Sequence, residues 1–187
     1  MVKAIVMGAS YGGMEAIKTI LTGLPSGFKI PVSIVLHIGN NNISNYMTVL
    51  NHKTGFIVKE AEEKELIDPG NIYFAPPNYH LQMENNFSFS LSTDQKINYS
   101  RPSIDVLFET AAWVYKNELL GILLTGSNGD GADGLKTIKD YGGITIVQNP
   151  ETAAAKTMPV KAIKKEEPSF ILDLEKIAQK IAELVKQ

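Results

Sequence analysis

The chain alternates between two kinds of segment, and that rhythm limits its fold more than any other feature. Ala4-Ile5-Val6-Met7, Pro31-Val32-Ser33-Ile34-Val35-Leu36 and Leu119-Leu120-Gly121-Ile122-Leu123-Leu124 are short, nearly continuous apolar runs. Runs of that kind mark strands buried on both faces of a parallel sheet, because half-solvated strands alternate instead. Each is followed by apolar residues at helical spacing: Met14, Ile17, Ile20 and Leu21; Ile43, Tyr46, Met47 and Leu50; Leu135 and Ile138. A strand, a crossover helix and another strand give a sheet clothed by helices on both faces. Further strands are expected at residues 56–59, 72–75, 143–147 and 170–172, with 119–124 as the central one. Helices are expected near 152–155, from Met158, and over 173–186.

The middle of the chain breaks the rhythm. Asp68-Pro69-Gly70-Asn71 is turn chemistry, and residues 81–84 and 87–91 alternate with period two around Asn85-Asn86. They read as an antiparallel hairpin inserted between the α/β units. Pro102 suits the first turn of the helix that follows, whose apolar face carries Ile104, Leu107, Phe108, Ala111, Ala112 and Tyr115. The expected architecture is a single domain over residues 1–187: a doubly wound, mostly parallel α/β sheet, Rossmann-like in three layers, with an inserted antiparallel hairpin.

Gly8-Ala9-Ser10-Tyr11-Gly12-Gly13 joins the first strand to its helix. A Gly-flanked Ser in that turn lifts its hydroxyl clear of the sheet, in front of the unpaired N–H groups and positive dipole end of the helix. The turn is a seat for a nucleophile or an anion. As a dinucleotide fingerprint it is poor: Ser10 stands where a Gly must let the pyrophosphate approach, and the second strand ends in His37 rather than an acidic residue. The plain alternative is that Gly12 and Gly13 permit a tight turn and Ser10 caps the helix.

Composition narrows the chemistry. With 18 basic and 20 acidic residues the net charge is −2, which leaves no footprint for nucleic acid. The absence of Cys excludes disulfides, thiolate metal sites and a Cys nucleophile, so hydrolytic chemistry falls to Ser or to carboxylates. Three scattered His give no metal-ligand spacing. No apolar run reaches the length of a membrane span and no basic-then-apolar leader opens the chain, so a cytoplasmic, non-inserted protein is expected.

In a doubly wound sheet the carboxyl ends of the strands gather along one edge, where ligands bind. Ser10, His37 and Asp130 each fall at or just beyond such an end. A Ser hydroxyl needs a neutral imidazole to take its proton, and the imidazole needs a carboxylate to fix its tautomer. The three residues therefore form a candidate acyl-transfer triad, in an order that differs from the Ser, Asp, His order of α/β-hydrolases. Each has a structural alternative: His37 as a satisfied core histidine, Asp130 as a helix cap after Gly126-Ser127-Asn128-Gly129. His80 is the rival base, and His52, at a helix end, the weakest candidate.

Several separated motifs together resemble the catalytic domain of the chemotaxis receptor protein-glutamate methylesterase family, CheB, over about residues 3 to 165. Gly8-Ala9-Ser10 with Gly12-Gly13 is similar to that family's nucleophile turn, His37 to its base, and Asp130 in Thr125-Gly126-Ser127-Asn128-Gly129-Asp130-Gly131 to its third member. Arg101-Pro102-Ser103-Ile104-Asp105-Val106-Leu107-Phe108, Ala75-Pro76 with His80, Gln148, Met158-Pro159 and Ala162-Ile163 also match. The resemblance implies hydrolysis of glutamate methyl esters on the cytoplasmic helices of methyl-accepting chemoreceptors, often with deamidation of receptor glutamines, and no metal or organic cofactor. It also implies departures. Tyr11 stands where the family has Thr, Ile38-Gly39 where it has Met-Pro, and Asn128 where it has Gly. The family's receiver domain is expected to be missing, leaving the site constitutively accessible. A catalytically weak homologue that acts as a receptor-binding module is the alternative, and a nucleotide binder of the same fold class a third.

Overall fold

The computed structural model describes residues 1–38 and 43–186. Seven strands form one parallel sheet: β1 (Ala4–Ala9), β2 (Val32–Leu36), β3 (Ile57–Glu60), β4 (Asn71–Phe74), β7 (Leu119–Leu123), β8 (Ile144–Gln148) and β9 (Phe170–Leu172), in the order β3-β4-β2-β1-β7-β8-β9. The remaining two strands, β5 (His80–Met83) and β6 (Phe89–Ser92), pair antiparallel as a separate ribbon. The chain steps from β1 to β2 on one side and later returns to β7 on the other. That reversal opens the crevice in which ligands bind on such sheets. The run at 119–124 is internal, but the midpoint of the sheet is β1.

The strands are apolar on both faces because each face has its own helices. Ile5, Met7 and Ala9 of β1 point into a core shared with α1 (Gly13–Gly23), α2 (Ser44–Thr54) and α6 (Leu174–Val185). Ala4 and Val6 point into the other, shared with α3 (Ile104–Tyr115), α4 (Ala132–Asp140), α5 (Thr157–Lys165) and the hairpin. The ribbon rests on α3: Met83 N–H donates to Thr110 Oγ1 (3.2 Å), and the buried Phe89 ring meets Tyr73 edge-on at 4.9 Å.

Four local details differ from the sequence reading. The hairpin register pairs Met83 with Phe89, so its loop is wider than Asn85-Asn86. Phe87 belongs to that loop, half-exposed, with φ 60°. Pro102 precedes the helix instead of entering it, since Ser103 is extended (φ −105°, ψ 138°) and α3 starts at Ile104. The helix expected at 152–155 is a single 3-10 turn, Pro150–Thr152. α2 begins at Ser44 after Ile43, which provides no side-chain cap, so Ser44 lies within the helix. Asn42, whose residue type also suits a helix cap, and the altered position Gly39 lie outside the described residues.

α3 and α4 cross closely enough that only hydrogen fits between them. A Cβ on Gly134 would lie 2.6 Å from Phe108 Cβ and 3.0 Å from both Cα and the carbonyl oxygen of Asp105. Because backbone cannot yield as a side-chain tip can, Gly134→Ala should cost ~1–3 kcal/mol through overpacking. Urea denaturation of the two proteins measures it, with the midpoint lowered and the slope unchanged.

Candidate active site

Ser10 is the first residue past β1. Its N–H donates to the Thr125 carbonyl (2.9 Å) and its own carbonyl accepts from Gly13 N–H (2.8 Å). The turn needs Gly12: φ is +79°, a conformation that L side chains rarely adopt, and a Cβ would sit 2.5 Å from Ala154 Cβ. Gly12 is the N-cap of α1 and no side chain caps the helix, so the Ser10 hydroxyl is not used as a cap. It makes no hydrogen bond among the described residues.

The loop after β7 braces the turn from behind. Thr125 Oγ1 donates to the Tyr11 carbonyl (2.8 Å) and accepts from Ala155 N–H (2.9 Å). Thr125 N–H in turn donates to Gln148 Oε1 (3.0 Å), buried at the end of β8. Gly126 donates to the Ala155 carbonyl and accepts from Met158 N–H. A side chain on Gly126 would collide with Met158 and approach Ser10 Cβ to 3.0 Å. Tyr11, by contrast, is 67 % exposed.

His37 follows β2 as Ser10 follows β1. Ala9 is in register with Leu36, and His37 N–H donates to the Ala9 carbonyl (3.0 Å), so the next residue on each strand stands beside the other. Neighbouring strands lie about 4.8 Å apart. The His37 side chain is only 12 % exposed and its Nε2 lies 3.0 Å from Asp130 Oδ2, although the N–H is not aligned on that oxygen. The Nδ1 edge therefore faces away from the carboxylate. There the Nδ2 group of Asn128 stands 3.5 Å away, while Asn128 Oδ1 accepts from Asp130 N–H (3.1 Å).

Asp130 is fully buried and does not cap α4, whose N-cap is Gly131. Its carboxylate instead crosses to the start of α3. Oδ2 accepts from Ile104 N–H (2.7 Å); Oδ1 accepts from the Ser103 hydroxyl (2.8 Å) and Asp105 N–H (3.2 Å). Burial alone would raise its pKa, but His37, Ile104 N–H and the Ser103 hydroxyl together hold it below the usual carboxylate value. Asp105 returns the exchange by accepting from Gly134 N–H of α4 (2.8 Å) and from Asn98 Nδ2 (3.0 Å). Two helices thus each place a carboxylate on the other's N-terminus. Only one of the two is easily charged: burial, opposed by the Gly134 hydrogen bond and reinforced by neighbouring Asp130, pushes Asp105 up to about 7.

His80, the rival base, is buried with both ring nitrogens engaged. Nδ1 accepts from Ser103 N–H (3.2 Å), so Nε2 carries the proton and donates to the Gln95 carbonyl (3.1 Å). Its ring supports the segment that holds Asp130. His52 lies exposed in the last turn of α2, away from this edge. Ser103, Asp105 and Thr125 were missed as parts of the site. Asp105 left a signal, an acidic residue amid the apolar face of its helix, whereas Ser103 and Thr125 left none in their spacing. Among the described residues no cluster of three His, Asp or Glu side chains has the arrangement of a metal site.

The fold is a doubly wound α/β sheet, and at its carboxyl edge stand a Ser, a His and a buried Asp, the residue types that acyl transfer uses. A family model described as CheB methylesterase matches residues 5–181, and the chain belongs to that family. A protein of Leptospira interrogans is 51% identical over 177 residues, covering 95% of this chain and 92% of that protein. A Nitrosospira multiformis protein-glutamate methylesterase/protein-glutamine glutaminase is 36% identical over 185 residues, 99% of this chain but 52% of its own length. The crystal structure of the Thermotoga maritima CheB methylesterase catalytic domain superimposes with a TM-score of 0.93 at 33% identity, covering 98% of this chain and 99% of that one. The chain thus spans nearly all of one relative and about half of another.

The raised pKa of Asp105 has a definite consequence for stability. Its folded value near 7 exceeds the ordinary 3.8, so the folded state holds a proton that the unfolded chain has already released, and stability falls as pH rises from about 4 to about 7. Asp130, shifted the other way, acts only at lower pH, where its stabilisation is lost on acidification. Glu109 is also raised, chiefly by burial. The Asp105→Asn variant should therefore show a weaker decline between pH 5 and pH 8 than the parent, read from urea midpoints at both values.

Proposed function

We propose that the chain is a serine hydrolase that removes methyl esters from glutamate side chains on the cytoplasmic helices of methyl-accepting chemoreceptors, and that it deamidates receptor glutamines through the same acyl-enzyme. The observation that carries the reading is the His37 imidazole, its Nε2 3.0 Å from a buried carboxylate, standing in register beside a Ser whose hydroxyl makes no hydrogen bond among the described residues. Ser10 is assigned as nucleophile, His37 as general base and Asp130 as the group that sets the tautomer. With the proton on Nε2, Nδ1 carries the lone pair that accepts the Ser10 proton.

Attack of Ser10 Oγ on the ester carbonyl places negative charge on its oxygen, in front of α1. The N–H groups of Tyr11 and Gly12, without partners among the described residues, are the donors available to it. Collapse breaks the bond to the methoxy oxygen, which takes the proton from His37 and leaves as methanol. Water, deprotonated by the same imidazole, then cleaves the acyl-enzyme and restores Ser10, giving the glutamate carboxylic acid. With glutamine the leaving group is ammonia. These steps need no metal or organic cofactor, and a soluble receptor domain in the cytoplasm is a sufficient partner. Among the described residues no helix is long and apolar enough to cross a membrane.

One observation favours a weaker enzyme that chiefly binds receptor helices. Asn128 places its amide beside His37 Nδ1, the atom that must receive the proton, where the family motif has Gly.

Methanol release from methylated receptor fragments tests both readings. Ser10→Ala should keep the circular dichroism of the parent and lose on the order of 10³-fold or more in rate, with His37→Gln adding little in the double variant. A near-normal rate in Ser10→Ala overturns the assignment. If Asn128 obstructs the base, Asn128→Gly is faster than the parent.

A further inference from the structure

Arg101 is a cation with no counter-ion among the described residues. Its Nη1 donates to the main-chain carbonyls of Thr93 (2.6 Å) and Asp94 (2.9 Å), and its buried Nε has no hydrogen-bond partner among the described residues. No described carboxylate pairs with it, nor with Lys96. A half-buried charge left in this state is unfavourable unless something supplies the missing negative partner.

Both residues line a cavity of ≈ 170 Å³. Its wall also includes His37 and Ile38 from the end of β2, and Phe74 and Ala75 from the end of β4; no Asp or Glu is among its described lining residues. The sheet order β4-β2-β1 puts this space on the far side of His37 from Ser10. At about 4.8 Å per strand it lies roughly 10 Å from the Ser10 hydroxyl. A polypeptide laid across the strand tips with its ester at Ser10 would carry a neighbouring side chain into the cavity. The apolar part of the wall suits the methylene stem of such a side chain, and the two cations suit its tip.

We propose that this cavity is a carboxylate subsite: it takes the side chain of an acidic residue flanking the ester-bearing glutamate, with Arg101 and Lys96 as the specificity-determining residues. The proposal rests on the esterase reading for its substrate. The subsite makes the enzyme select esters set in acidic sequence, through a planar guanidinium suited to a carboxylate and a second, exposed ammonium. Its effect belongs in KM more than in kcat, because the contact is made equally in ground and transition states.

The test uses paired helical peptides, each with one glutamate methyl ester and either Glu or Gln about 10 Å from it on the same face. For the parent protein, kcat/KM from methanol release should favour the Glu peptide about 10-fold, mostly through KM, as expected for a charge pair at a partly desolvated site. The preference should nearly vanish in Arg101→Gln and shrink to about 3-fold in Lys96→Met. Arg101 also ties down two carbonyls, so Lys96→Met, altered at an exposed side chain, keeps the test readable should Arg101→Gln fail to fold. A second arm measures, by calorimetry on the Ser10→Ala protein, binding of the same peptides with glutamine in place of the ester, and here too the Glu peptide should bind about 10-fold more tightly. Hydrolysis without a Glu preference overturns the subsite and leaves the esterase reading intact. A Glu preference in binding with no hydrolysis by the parent supports the subsite and overturns the esterase reading. Inorganic phosphate distinguishes a free-anion site: if it binds in an Arg101-dependent way while the two peptides bind equally, the proposal is overturned.

Discussion

The buried carboxylate of Asp130 is the interaction on which the site depends. A charge with no solvent exposure is tolerable only where several donors face it, and here those donors come from the first turn of another helix: the Ser103 hydroxyl and the N–H groups of Ile104 and Asp105. Those N–H groups have no partner within their own helix, so the carboxylate satisfies them as they stabilise it. Asp105 does the same for α4 through Gly134. The exchange fixes α3 against α4, and with them the height at which Asp130 meets the imidazole of His37. Had Asp130 capped its own helix, its carboxylate would be engaged there and unavailable for this contact.

The Ser10 turn is held by a separate set of bonds. Thr125 binds the Tyr11 carbonyl, Gln148 binds Thr125, and Gly126 is tied to both sides of the segment 155–158. Strands β1, β7 and β8 thus meet at one point through side chains that do no chemistry. This preorganisation costs the site little mobility at the moment of reaction, because the donors are already fixed by sheet and helix. The histidines divide along the same line. His80 spends both ring nitrogens on backbone groups, while His37 keeps one edge clear of the carboxylate.

Part of this was legible in the linear chain because it depends on local chemistry. The alternation of apolar runs with helical spacing required a parallel sheet with two clothed faces, and β1, β2 and β7 fall where those runs lie. The need for Gly at position 12 follows from the tight passage of strand into helix. Boundaries governed by distant contacts were not legible. The helix after Pro102 starts later than local propensity suggests, where the donors at Ser103, Ile104 and Asp105 face Asp130 across the core. The hairpin loop is wider than its two asparagines because Met83 and Phe89 are placed by packing on α3 and Tyr73.

The sequence by itself determined the fold class, the position of a Gly-flanked Ser at a strand-to-helix turn, and the presence of His37 and Asp130 near other strand ends. Periodicity and turn chemistry are properties of neighbouring residues, and they survive in one dimension. Only the tertiary structure decided that Ser10 and His37 are adjacent in register, that Asp130 faces the imidazole and the start of α3 instead of capping α4, and that Arg101 lines a cavity with no counter-ion among the described residues. Those outcomes depend on the order in which strands lie side by side and on how two helices cross. They are set by burial and by the pairing of polar groups over separations of up to about a hundred residues, which no local pattern encodes.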